Sequence, residues 1–435
     1  MEKFNKVNAI VATAILATSL TACGNSNSNT ASTSAPSSAQ PVTINMFQFK
    51  VEIKDQLQGL VNAYMKEHPN VKINMTTVGG GADYGAALKT QMASGNGPTI
   101  YNIGGPSDVD TWQTKLADLS STPVAKAALP GTLDAVTKDG KTYGVPLDIE
   151  GYGILYNKSV FQKAGIDPSK IITQEDLMAA VQKINTEKSK LGLQAVFAFP
   201  AKETWVSGLH DSNVFIAPEF NNSIMDTYNA KTLNFKYADQ FKQYIDMFNK
   251  YSVQPTNSLD YSTQVDKLFS TQKVAMIEQG DWINTEVAGI DANFEANDIG
   301  VLPIPVDGVV QGKIPVGVPM YWAVNSSSTS TQQKAAEDFL NWMNTSQEGK
   351  SAIVNQMNFI PAYTGYGDMP IKDSLAKQIF DYAQANNTTA WVFMGYPSNW
   401  GMNVLGADIQ KYIAGQAPWS QVISDAKAQW ATSRQ

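Results

Sequence analysis

Two alternating apolar runs with one helical stretch between them constrain this chain most. Val42, Ile44 and Met46 alternate as in a strand, Leu57, Leu60, Val61, Tyr64 and Met65 recur at helical spacing up to His68-Pro69, and Val71, Ile73 and Met75 alternate again. Strands joined by such a helix lie parallel, with a right-handed crossover, which is the repeating unit of an open α/β sheet. Helical periodicity returns in Phe241-Tyr244-Ile245-Phe248 and around Ala335, Phe339 and Trp342. Between these stretches lie the Pro-punctuated strands Gly144-Val145-Pro146 and Val301-Leu302-Pro303-Ile304-Pro305, where the chain is expected to pass between domains. At 435 residues, even with a leader removed, the chain is too long for one compact core, so two domains are expected.

The leader is itself legible. Lys3 and Lys6 precede an apolar run, Val7 to Leu20, that is broken only by Asn8, Thr13, Thr18 and Ser19 and is too short to span a bilayer comfortably. It ends in Leu20-Thr21-Ala22-Cys23, which resembles the lipobox of bacterial lipoproteins. That resemblance implies a signal peptide over 1–22, a Cys23 thiol carrying a diacylglyceryl group, and attachment to the outer face of the cell membrane. Each buried methylene contributes about 0.8 kcal/mol, so two or three acyl chains give lasting attachment. Gly24 to Pro41 has no charge, six serines and no bulky apolar residue. With Cys23 it reads as a flexible tether over 23–41, reaching roughly 23 Å from the membrane as a random coil.

Charge and rare residues exclude whole classes. The formal charge is −7, and of 32 basic residues only Arg434 is an arginine. A polyanion needs a basic face, and bidentate recognition of phosphate or carboxylate favours the guanidinium fork, so nucleic acid is not expected and a neutral ligand is. The two histidines, His68 and His210, and the single cysteine cannot build a zinc cluster, a Cys-His nucleophile or an internal disulfide. No metal and no cofactor are expected. The loop Gly79-Gly-Gly81-Ala-Asp83-Tyr84 lacks the Gly-Lys-Ser/Thr ending of a phosphate loop and the glycine spacing of a dinucleotide fingerprint, and reads as a turn at a cleft edge.

Further motifs run along the whole chain. They are Tyr64-Met-Lys-Glu-His-Pro69-Asn-Val71, Asp139-Gly-Lys-Thr-Tyr143-Gly-Val-Pro146, Leu155-Tyr156-Asn157-Lys158 and Phe161-Gln-Lys-Ala-Gly165. Lys273-Val-Ala-Met276, Gly280-Asp281-Trp282, Ala335-Ala-Glu-Asp-Phe339-Leu340 and Phe359-Ile-Pro361 complete the set. In this order and spacing the chain resembles the extracellular solute-binding lipoproteins of bacterial ABC importers, in the oligosaccharide class that includes maltose-binding and multiple-sugar-binding proteins. It departs from them at Gln272, where the family commonly has glycine, and at Ile103, where it has tryptophan.

The resemblance implies a two-lobed α/β fold, each lobe a mostly parallel sheet flanked by helices, with ligand enclosed between the lobes by hinge closure. The motif spacing puts lobe 1 at 42–149 plus 304–362 and lobe 2 at 150–303 plus 363–435. It implies a monomer that delivers an oligosaccharide to a membrane permease and catalyses nothing.

A pyranose offers apolar C–H faces and a rim of hydroxyls, so its site needs aromatic platforms together with carboxylates or amides. Glu150 falls where the family has a ligand carboxylate at the hinge, and Trp282 and Trp400 match its stacking tryptophans. Asp281 reads either as a ligand contact or as a cap of the next helix. Lys50 and Glu52 follow the first strand on one side of an extended segment, and Asn102 follows Gly97-Pro98-Thr99-Ile100-Tyr101. Ends of strands in open sheets are where ligands bind. Trp205 and His210, in Glu203-Thr-Trp-Val-Ser-Gly-Leu-His210, fall at an expected lobe 2 contact. A secreted glycoside hydrolase would also show tryptophans and carboxylates, yet no two acids are recognisably paired. The same fold could take a peptide or a polyamine; a polyamine would need a box of Asp and Glu that is not visible.

Overall fold

A computed structural model describes residues 40–435 apart from 80–82, 96 and 368. The signal peptide, Cys23, nearly all of the expected tether, and Gly80 and Gly81 lie outside the described residues. In chain order the strands are β1 (Val42–Gln48), β2 (Val71–Thr77), β3 (Ile100–Ile103), β4 (Thr137–Lys138), β5 (Lys141–Thr142), β6 (Val145–Pro146) and β7 (Glu150–Asn157). They continue with β8 (Ala195–Phe197), β9 (Val274–Gly280), β10 (Ile299–Leu302), β11 (Ile314–Gly317), β12 (Tyr321–Val324) and β13 (Thr388–Thr389).

The first strand-helix-strand unit forms as the periodicity predicts. β1 and β2 pair in parallel from Val42–Val71 to Gln48–Thr77, and the helix Lys54–Glu67 between them buries Leu57, Leu60, Val61 and Tyr64. That helix stops at His68 because Pro69 cannot continue it. The first sheet has the order β2-β1-β3-β12-β6, and the second has β13-β11-β7-β9-β8 with β10 also on β7. β4 and β5 form a separate hairpin.

The α/β architecture with two helix-flanked sheets is as expected, but the sheets are mixed rather than mostly parallel. β12 runs antiparallel to β3 and β6, and β7 runs antiparallel to β9, β10 and β11. The reason lies in the crossings. β1 and β3 end towards the space between the sheets, whereas β7 and β12 start there after crossing, so they must run the opposite way.

The crossings lie at 147–149, between β6 and β7, and at 318–320, between β11 and β12. The return to the first sheet expected at 304 does not occur. β11 is still paired with β7, and Ile304, Val306 and Val310 pack in the core of the second sheet. The Pro303–Pro305 stretch leads instead into a turn closed by the Val306–Val310 bridge. A further bridge, Ile149–Ile360, ties the first crossing to the segment that leaves the first half.

Each half has its own core. Ile44, Leu60, Val61, Ile73, Val324 and Phe339 meet in the first, and Phe197, Phe215, Phe241, Tyr244 and Phe248 meet in the second. Helix Ala238–Lys250 contributes the last three from one face, and each such burial stabilises the fold by about 1.5–3 kcal/mol. Among the described residues no helix is long and apolar enough to cross a membrane.

Candidate functional site

Both sheets end at one cleft, with a cavity of about 420 Å³. Lys50, Glu52, Asn102, Glu150, Trp205, His210 and Trp282 all line it. The segment after β1 brings Lys50 and Glu52, and Gln48 fixes it. The Gln48 side-chain oxygen accepts from the Lys50 N–H at 2.6 Å, while its amide donates to the Lys50 carbonyl and to Thr77 Oγ1. β3 brings Asn102. Its Oδ1 accepts from the Phe49 N–H at 3.3 Å, and its Nδ2 is buried without a partner, an orphan donor in the wall of the cavity. Tyr84 joins the two strand ends, its hydroxyl accepting from the Asn102 N–H at 2.8 Å and donating to the Phe47 carbonyl at 3.1 Å.

Glu150 opens β7, and its carboxylate accepts from the Lys50 ammonium across the two halves. Glu52 lies 3.1 Å from the same nitrogen. Lys50 is only 2% exposed. Burial draws its pKa down, but the charges of Glu150, Glu52 and Asp148 outweigh burial and hold the ammonium above its ordinary range. Burial pushes the Glu150 carboxyl up, with Lys50 opposing, and pushes Asp148 up further, with the charge of Glu150 adding to it.

The second half supplies an aromatic wall. Trp282 follows β9, and its indole N–H donates to Gln279 Oε1 at 2.7 Å. Gly280 permits this placement, because a Cβ there would sit 2.2 Å from the Trp282 ring and 2.3 Å from the Gly151 carbonyl. His210 stacks on Tyr152 at 4.4 Å and lies 5.1 Å from Trp282 and 5.0 Å from Trp205. Trp205 is the N-cap of a π-helical stretch, Val206–Asp211, and His210 lies within it, a distortion that recurs at functional sites. Burial pushes the His210 imidazole down to about 3, so it is neutral. Its Nδ1 is 3.3 Å from Glu278, whose carboxyl burial pushes well up, so this is a contact of neutral groups rather than an ion pair.

Two expected residues are not on the cavity wall. Asp281 is buried beneath it and accepts from the Gly151 N–H at 3.2 Å, so it neither faces the cavity nor caps a helix; it braces the start of β7 beside Glu150. Trp400 is 2% exposed. Its indole N–H donates to the Ala426 carbonyl at 2.9 Å, and its ring meets Trp430 edge-on at 4.8 Å, because from its place just before Gly401–Gly406 it projects towards the C-terminal helix Trp419–Ser433. It is a core tryptophan.

The wall contains aromatics that no motif marks. Trp391 crosses Trp282 at 6.4 Å and an interplanar angle of 87°, and Phe393 lies 5.2 Å from Trp391. Their only signal in the sequence is the aromatic pair after Thr388-Thr389-Ala390. Gly79, Asp83 and Tyr84 of the glycine loop do line the cavity, and Asp83 caps the next helix through the Ala86 N–H at 2.9 Å. Among the described residues no group of His, Cys, Asp and Glu is arranged to hold a metal ion.

Tyr261, also on the wall, donates to Glu286 at 2.6 Å. Burial pushes that carboxyl up to about 7, with the tyrosine pulling the other way. A raised folded pKa gives stability below the unfolded value that is lost as pH rises through 7. The melting temperature should therefore show a decline from pH 5 to 8 that flattens in Glu286→Gln. A slope unchanged by the substitution would exclude this carboxyl as its source.

A family model for bacterial extracellular solute-binding proteins matches residues 59–378. The chain belongs to this family. Among relatives of this solute-binding protein, the multiple sugar-binding protein of Streptococcus mutans is 25% identical over 365 residues, covering 80% of each chain. The melibiose/raffinose/stachyose-binding protein MelE of Bacillus subtilis is 23% identical over 297 residues, covering 67% of each. Among solved structures, the solute-binding protein RafE in complex with raffinose superposes with a TM-score of 0.74 at 20% identity, covering 91% of this chain and all of the other. A chitin oligosaccharide binding protein reaches 0.76 at 20% identity, over 91% of this chain and 99% of its own. These likenesses establish the two-lobed solute-binding fold.

Proposed function

We propose that this solute-binding protein captures a neutral oligosaccharide of two to four units outside the cell and hands it to the permease of an ABC importer. The observation that carries this reading is the pairing, across one cavity, of an aromatic wall with a fixed group of hydroxyl partners. Trp282, Trp391, Trp205 and Phe393 offer faces for the C–H surfaces of sugar rings. Glu52, Glu150, Lys50 and the orphan Asn102 amide offer acceptors and donors for hydroxyls. The cavity falls in the range of small-molecule sites.

An α-galactoside such as raffinose is the ligand we assign, supported by what the relatives MelE and RafE are named for binding. Anchoring through Cys23 and action as a monomer belong to the same proposal. A peptide or polyamine is less well served, because the Lys50 ammonium already occupies Glu52 and Glu150. The same engagement argues against a hydrolase, which needs one carboxyl free to donate a proton and another free to attack or activate water.

Calorimetric titration against neutral oligosaccharides tests the reading. Binding of raffinose or stachyose is expected, and a micromolar dissociation constant would correspond to about 8 kcal/mol. If no neutral sugar bound while a charged peptide or an amine did, the sugar assignment would be lost, and turnover of an aryl galactoside would replace it with an enzyme.

A further inference from the structure

The chain's only arginine is the penultimate residue, and the fold carries it to Gly395, at the end of a turn whose residues line the cleft. The Arg434 guanidinium donates to the Gly395 carbonyl and lies 5.1 Å from the Tyr228 ring and 5.8 Å from Trp430. Gly395 ends the short turn Val392–Gly395, which carries Phe393 and Met394 into the cavity directly after Trp391. A compact ammonium could not spread over two rings and donate in plane to a carbonyl, which accounts for a guanidinium here in a chain that otherwise uses lysine.

The same patch meets the other half of the molecule. Asp110, on the helix Pro106–Trp112 that follows β3, accepts from the Tyr228 hydroxyl, while Lys138 of its own half holds its other oxygen at 2.5 Å. Three residues away, Ser107 Oγ donates to the Tyr396 carbonyl at 2.7 Å. The backbones also touch here: a Cβ on Gly105 would fall 2.4 Å from the Met394 carbonyl oxygen. Gly105, Ser107, Met394 and Tyr396 all line the cavity, whereas Asp110, Tyr228 and Arg434 do not.

We propose that Tyr228 and Asp110, set in place by Arg434 and Lys138, form a clasp across the cleft mouth that governs how long a bound sugar stays, without touching it. The clasp rests on the reading that the cleft opens and closes around an oligosaccharide. These are positioning residues. Asp110 and Tyr228 meet only while the cleft is closed, so the pair opposes opening and acts mainly on escape, and much less on encounter. Arg434 has a second effect, since it also fastens the turn that presents the Trp391–Phe393 part of the wall.

Stopped-flow kinetics with raffinose as the probe test this. Tyr228→Phe and Asp110→Asn should each raise the release rate about three- to tenfold with little change in association rate, the loss expected for one solvent-exposed hydrogen bond. The pair of substitutions together should add little to either alone. Arg434→Lys should speed release and also weaken affinity through the wall.

Unliganded melting temperatures should match wild type in Tyr228→Phe, which keeps its ring under the guanidinium. Release rates equal to wild type in both Tyr228→Phe and Asp110→Asn would overturn the clasp. So would an unliganded melting temperature that falls in step with affinity, which would mark a merely structural role. If the wild type binds no neutral oligosaccharide, the sugar assignment fails by itself. The clasp is then read without ligand by small-angle scattering, where the variants should be more expanded than wild type and identical curves would refute it.

Discussion

Replacing Trp282 with alanine is expected to weaken raffinose binding at least tenfold, about 1.4 kcal/mol or more, as for an aromatic anchor at the centre of a site. Three features make the effect large. The ring is the meeting point of the wall, 5.1 Å from His210 and 6.4 Å from Trp391, so its loss removes one platform and loosens its neighbours. Its indole N–H holds Gln279, which in turn donates to Gln264 at 2.7 Å, so truncation leaves a buried acceptor unpaired. The close approach at Gly280 is shaped to that ring and becomes an empty slot beside β7. Because Trp282 is only partly buried, the variant should still fold, and isothermal titration alongside a melting curve separates the two effects. Unchanged affinity would remove Trp282 from the site.

Lys50→Met is expected to cost about 3–5 kcal/mol of folding stability, the range for deleting one partner of a buried ion pair. It leaves the Glu150, Glu52 and Asp148 carboxyls facing one another with no cation among them. The defect should depend on pH. Glu150 and Asp148 already have folded pKa values above their ordinary ones, and loss of the ammonium raises them further. A raised pKa favours the folded state at low pH and loses that advantage as pH rises, so the variant should be least stable in alkali. Urea denaturation at pH 5 and pH 8 should show a larger deficit at pH 8, and adding Glu150→Gln should restore part of it, since one uncompensated charge is then gone. If Lys50→Met matched wild-type stability at pH 8, the ion pair would have no such role. Raffinose binding should fall in the single variant even at pH 5, because Lys50 also joins the ends of β1 and β7 across the cleft.

Trp282 and Lys50 are both legible in the amino-acid sequence, for different reasons. Lys50, Glu52 and Asn102 stand out because strand ends converge on clefts in open α/β sheets, and Glu150, Trp205, His210 and Trp282 because they sit in family motifs. The residues that mislead share one physical cause. Trp400 has the same local surroundings as a site tryptophan, a Pro-Ser-Asn-Trp-Gly run, yet the helix Trp419–Ser433, remote in sequence from the cleft motifs, covers it. Trp391 has no motif at all and is turned into the cavity by the short turn Val392–Gly395 that Arg434 tacks down. Asp281 neighbours Trp282 in the chain, but adjacent residues project differently, and its carboxylate goes to the Gly151 N–H.

Short-range pattern was enough for the local grammar: the β1-helix-β2 crossover, the amphipathic helices, the stop at Pro69 and the motifs that mark the family. Those follow from short-range periodicity and residue chemistry, which no distant contact can alter. Tertiary structure alone decided strand direction, the late crossing at 318–320, which tryptophans face the cavity, and where the lone arginine ends up. Each of these depends on residues from tens to more than two hundred positions apart meeting across sheets and around a cleft, and such pairings leave no periodic trace in the chain.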